Sequence, residues 1–165
     1  MIDRMDKDFG EFTVGNKVMV SDPCYENGCK IVQVVPGTWE GYVAYNDDGR
    51  VSHLMAHHRD YFKYKQLSES NFTVITDEMG VDSGQMAICD LGHYSTDDEE
   101  YRKYCDATIS EDGGGIIGDY AVVSSTGWGD GEYTLYGAYN DNDECYALWV
   151  EFISDEGEED EEDEY

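Results

Sequence analysis

Apolar and polar residues alternate in short runs along most of this chain, and the runs stop at Gly, Pro, Asn or Asp. A period of two sends successive side chains to opposite faces of a strand, so the pattern commits the chain to β-sheet. Residues 17–21, 30–35, 40–45 and 51–57 read as four strands, stopped by Asp22-Pro23, Pro36-Gly37 and the turn Asn46-Asp47-Asp48-Gly49. Asn, Asp and Gly tolerate positive φ, which a tight hairpin needs. Residues 71–76, 85–89, 120–124, 132–139 and 145–153 read as further strands. One helix is expected from Ser95 or Thr96, as its cap, to about Asp106, with acids at its positive end. Residues 60–70 suit a short helix or a loop, and 111–115 a flexible loop.

Two of the hairpins resemble each other. At a constant offset of 94 residues, Gly37, Tyr42, Ala44, Tyr45, Asn46, Asp47 and Leu54 recur as Gly131, Tyr136, Ala138, Tyr139, Asn140, Asp141 and Leu148. Seven identities in 18 positions point to an internal duplication, with 12–60 and 118–153 as the related units. The expected fold is mainly β: two related antiparallel meanders packed as a sandwich or a partly open barrel, with one short helix. Residues 1–154 form the expected single domain, and 155–165 a disordered acidic tail that cannot bury apolar surface.

Charge narrows the function. The formal net charge is −28, and the tail alone holds nine acids and no base. Without the tail, 29 acids face 10 bases, a balance of −19. Such a surface repels nucleic acid and anionic membrane and attracts basic proteins or cations. Met1 to Asp8 is too charged for a signal peptide, and no run reaches transmembrane length. Five cysteines, Cys24, Cys29, Cys89, Cys105 and Cys145, are an odd set. Free thiols in the reducing cytoplasm are therefore expected.

Three segments stand out: Ser21-Asp22-Pro23-Cys24-Tyr25, Gly80-Val81-Asp82-Ser83-Gly84, and Ser124-Ser125-Thr126-Gly127-Trp128-Gly129-Asp130-Gly131-Glu132-Tyr133. Their order, with Pro36-Gly37 after the first and Asp90 after the second, resembles the uncharacterised bacterial domain-of-unknown-function family 4241. The likeness spans about residues 15–153, and the Gly-Trp-Gly-Asp-Gly stretch is its most specific part. This chain departs from the pattern by reading Ser-Thr-Gly where the family reads Ser-Gly. The resemblance implies a shared fold and no assigned activity; bacterial and phage-like members are the associated context.

Asp22, Asp82, Asp90 and Asp130 each fall at a strand end or tight loop. If those loops meet, the carboxylates could hold a divalent metal, with Asp22, Asp82 and Asp130 as candidate ligands, or act as an acid–base pair. Ser83, Trp128 and Tyr133 complete the candidate ligand-binding set, Trp128 as a stacking platform. The competing reading is that Asp caps turns by accepting backbone N–H bonds. Ser83 does not fit a nucleophile elbow, because the preceding Gly is one residue too far away. His53 and His57 share one strand face and could hold a transition metal with an added Asp. Gly113-Gly114-Gly115 lacks the Lys and Ser or Thr of a phosphate loop.

No complete catalytic set emerges, so binding is expected over catalysis. The expected function is an acidic, non-enzymatic protein that blocks or sequesters a basic partner protein. DNA-like charge mimicry of the kind used by phage inhibitors of host defence would suit it. The alternative is a small-molecule, nucleotide or divalent-metal-binding domain, or a hydrolase, with its site at the Asp22/Asp82/Asp130 loops. No cofactor is required, direct nucleic-acid or membrane binding is not expected, and a homodimer through a Tyr-rich edge strand is conceivable.

Overall fold

The computed structural model describes residues 6–23, 25–64, 72–95, 97–127 and 129–153. Eleven strands run through these residues: β1 Lys7–Val14, β2 Lys17–Asp22, β3 Tyr25–Gln33, β4 Gly37–Tyr45, β5 Val51–His58, β6 Thr73–Val81, β7 Gln85–Asp90, β8 Gly114–Ile117, β9 Ala121–Ser125, β10 Gly131–Tyr139 and β11 Cys145–Glu151. Helix α1 is Arg59–Tyr64 and helix α2 is Asp98–Thr108. The strands form two antiparallel sheets, one ordered β1-β4-β5-β11-β10-β6 and the other β3-β2-β7-β9-β8. The architecture is a sandwich and not a closed barrel.

The core lies between the sheets. Phe12, Trp39, Val43, Leu54, Met79, Leu135 and Leu148 from one sheet meet Val18, Val20, Met86, Ile88 and Val122 from the other. Gly41 marks a close approach, since a Cβ there would lie 2.8 Å from a Val122 methyl. The outer faces are covered as well. Tyr104 of α2 packs with Ala87, Cys89 and Val123 behind the five-stranded sheet. Tyr42, Met55 and Trp149 cluster with Phe72 behind the six-stranded sheet. Strands β5 and β7 are consequently buried at every position. This is the pattern of central strands covered on both faces.

The strand order is symmetric. In the six-stranded sheet, β1-β4-β5 mirrors β6-β10-β11 about the β5–β11 pair. In the other sheet, β3-β2 mirrors β9-β7 about the β2–β7 pair, with β8 added at one edge. The two similar hairpins agree in detail. Both ladders slip at equivalent places, between Ala44 and Tyr45 and between Ala138 and Tyr139. Asn46 Oδ1 accepts from the amides of Asp48 and Arg50 at 3.0 and 2.9 Å. Asn140 Oδ1 does the same for Asn142 and Glu144, both at 2.9 Å. Gly49 at φ 83° and Asp143 at φ 64° hold the equivalent left-handed position. Met55 pairs with Trp149, its own counterpart at the offset of 94, so a pseudo-twofold axis passes through that pair.

Several expectations change. Strand β1 and the short strand β8 were not anticipated, and β8 takes up part of the expected 111–115 loop. Only Gly fits at 114 in that strand, because a Cβ there would lie 2.3 Å from the Val123 carbonyl oxygen. Asp97, not Ser95 or Thr96, caps α2, its Oδ1 accepting from Glu100 N at 2.9 Å. Ser95 instead accepts from Asp97 N at 3.3 Å, and Thr96 lies outside the described residues. Of the Tyr-bearing strands, β4, β10 and β11 are interior, and β3, which begins at Tyr25, lies at an edge. The acidic tail at 155–165 also lies outside the described residues.

Candidate functional site

Asp22 is fully buried at the end of β2. Its Oδ2 accepts from the backbone amides of Asp82 and Ser83, each at 2.7 Å. Its Oδ1 accepts from the Ser83 hydroxyl, also at 2.7 Å. The Asp82-Ser83-Gly84 turn crosses from β6 in one sheet to β7 in the other, and Gly84 holds a φ of 72°. Asp22 therefore ties that crossing down. Charge-assisted bonds of this kind are short and strong, and they satisfy amides that the turn leaves without ladder partners.

Asp82 and Asp130 are exposed and flank the Gly131–Val81 pair at the end of the β6–β10 ladder. Asp22, Asp82, Ser83 and Asp130 thus come to one end of the sandwich. Asp90 does not, and the expectation that all four carboxylates converge is corrected. Val18 pairs with Asp90 while Ser21 pairs with Ala87, so Asp90 stands at the opposite end of the antiparallel β2–β7 ladder from Asp22. The reason is the symmetry. Asp90 ends β7 as Asp22 ends β2, and its Oδ1 accepts from Gly15 N at 2.8 Å in the β1–β2 crossing. Gly15 precedes Ser83 by the same spacing that separates Asp22 from Asp90. Each carboxylate latches the sheet-to-sheet turn of the other half.

The second oxygen of Asp90 meets His93 Nδ1 at 2.7 Å, and the His93 ring stacks on Tyr120 at 4.6 Å. Tyr120 donates its hydroxyl to Glu100 of α2 at 2.7 Å. His93 therefore belongs to the seat of the inserted helix. The sequence signal for it was its position three residues after Asp90, beside a second buried-carboxylate turn.

The Gly-rich segment is a packed corner. Thr126 is fully buried, donates to the Gly129 carbonyl at 2.6 Å, and binds Gly84 O through its own amide at 3.2 Å. Tyr133 also donates to Gly129 O, at 2.8 Å, and its ring meets Phe152 edge-on. Gly127, at φ 75°, has no room for a Cβ, which would lie 2.4 Å from Val51 O. Tyr133 thus holds the corner from within, and Trp128 lies outside the described residues.

Both Asp22 oxygens already accept from turn donors. Among the described residues, no group of three or more His, Cys, Asp or Glu side chains is arranged to hold a metal ion. His53 and His57 do share a face of β5, but four residues along a strand span about 13 Å, too far for one ion. Each faces its own carboxylate, His53 near Glu151 at 3.5 Å and His57 near Glu40 at 3.9 Å. Burial lowers the His57 pKa.

A polar cavity of about 220 Å³ is lined by Tyr45, Arg50, Glu111, Asp112 and Gly127 among others. Arg50 donates to Gly127 O there at 3.0 Å. Of the described acidic residues, only Asp22 and Asp90 are buried. Exposed acids crowd the turns and edges: Asp47 and Asp48, Asp77 and Glu78, Asp97 to Glu99, Asp130 and Glu132, Asp141 and Asp143. Among the described residues, Cys29, Cys89, Cys105 and Cys145 are free thiols, and no helix is long and apolar enough to cross a membrane. No family model, curated protein or solved structure matches the chain, so its likeness to family 4241 rests on the quoted motifs.

Proposed function

We propose that this protein is a non-enzymatic acidic binding protein whose folded domain engages a basic protein partner and blocks or sequesters it. One observation carries the reading: the two buried carboxylates are spent on latching turns, and most of the other described acids are exposed. An array of fixed negative charge on a rigid sandwich presents to a basic protein what a nucleic-acid backbone presents. A phage-type inhibitor of host defence acting by DNA-like mimicry is the biological role such a surface serves.

The alternative, a metal, nucleotide or hydrolase site at Asp22, Asp82 and Asp130, would need Asp22 oxygens that the turn already occupies. Asp130→Ala distinguishes the two readings. It abolishes ligand response in the alternative and changes binding to a basic protein only slightly here.

The test is affinity capture from a bacterial lysate with the full chain and with a chain stopped at Ser154. One basic protein retained by both and released by raised salt supports the folded surface as the binding element. Retention only by the full chain would assign binding to the tail, and salt-insensitive retention would contradict charge recognition.

A further inference from the structure

Glu40 lies on the outer face of β4, directly opposite Glu11 of β1 on one side and His57 of β5 on the other. Asp8 of β1 pairs with Tyr42, two residues along, and so faces Glu40 from the diagonal. Three carboxyl-bearing positions are therefore neighbours on one face of a single strand pair. Arg59 of α1 supplies a counter-charge, meeting Glu11 at 3.2 Å, but it lies more than half exposed. His57 Nε2 stands 3.9 Å from Glu40, and the Tyr42 hydroxyl is buried beside it. Like charges facing each other across a ladder weaken it.

We propose that one proton shared between Asp8 and Glu40 seats the first half of β1 on β4, so that this edge strand loosens when the proton leaves. The region is poised for it. The β1–β4 register already slips between Asp8 and Gly10, where Asp8 Oδ1 accepts from Gly10 N at 2.8 Å. Beyond it, Phe12 and Val14 are buried in the core and pin the second half. Loosening is thus confined to residues 6–11. There the outermost ties are Asp6 N to Val43 O at 3.0 Å and Tyr45 N to Asp6 Oδ2 at 2.8 Å.

The direction follows from linkage. The Glu40 pKa rises from 4.5 to about 7, first through its hydrogen bond with Asp8, then through burial and the charges of Asp8 and Glu11. The seated strand holds a proton that the open strand releases. Stability from this contact is full below the ordinary carboxylate range and is lost as pH rises through 7. His57 is shifted the other way by burial and cannot supply the same step.

Amide hydrogen exchange on the full chain, corrected for intrinsic rates, tests this. Between about pH 6 and about pH 8 the opening equilibrium of residues 6–11 should rise about tenfold, with β5 and β11 unchanged. Glu40→Gln keeps a donor for Asp8 and carries no charge, so it should hold the acid-side protection at both pH values. Asp8→Asn should shrink the pH step, and carbon-detected titration of the Glu40 carboxyl should move down with it. Protection of residues 6–11 that does not change with pH would overturn the proposal. So would a step that persists in Glu40→Gln, which would assign it to another group.

Discussion

A buried carboxylate is costly unless its oxygens are filled, and Asp22 shows how that cost is met. Three donors from one turn converge on it. Truncating it to Ala would strand two amides and a hydroxyl in a buried corner. Asp22→Ala should therefore lower the unfolding free energy by about 3 kcal/mol in urea titration. Asp90→Ala should cost a similar amount for the same reason. Asp82→Ala and Asp130→Ala remove exposed carboxylates and should change stability by less than about 0.5 kcal/mol. Equal effects at all four positions would mean that the latch assignment is wrong. The sequence alone could not separate these aspartates, because each sits beside a turn residue. What separates them is which oxygens face inward, and the pairing of distant strands decides that.

At the scale of elements, the hairpins were legible and their surroundings were not. Period-two patterning and the Asn-Asp turns located β4, β5, β10 and β11 to within a few residues. Strand β1 was missed because Lys7–Val14 mixes charges and Gly with its apolar residues, as an edge strand does. Strand β8 was missed because Gly114 and Gly115 read as loop. The approach of Val123, Ser124 and Phe9 excludes a side chain at Gly114. The equivalent turn positions give a direct check. Gly49 and Asp143 both occupy left-handed backbone, and only Gly does so without steric cost. Asp143→Gly should stabilise the protein by about 0.5 kcal/mol, and Gly49→Ala should destabilise it by about 1 kcal/mol. Thermal denaturation of the two variants reads both signs.

For the whole molecule, the sandwich and the charge act together. The core between the sheets and the clusters on the outer faces hold the sandwich together. On it, a balance of −19 outside the tail is self-repulsive. Added salt should therefore raise the melting temperature until screening is complete, at an ionic strength where the Debye length is about 3 Å. Edge strands β1 and β6 carry acids at their irregular pairings, Asp8 in one and Asp77 and Glu78 in the other. Charge and bulges at an edge discourage pairing with a second copy. On the proposed reading, the exposed acids meet a partner of opposite charge.

The most direct measurement is the affinity for a captured basic partner as a function of salt, repeated with competing duplex DNA. Charge mimicry predicts that log affinity falls linearly with log salt, with equal slopes for the full chain and the chain stopped at Ser154, and that DNA displaces the protein. An affinity that ignores salt, or a partner that binds DNA and this protein at once without competition, would contradict it.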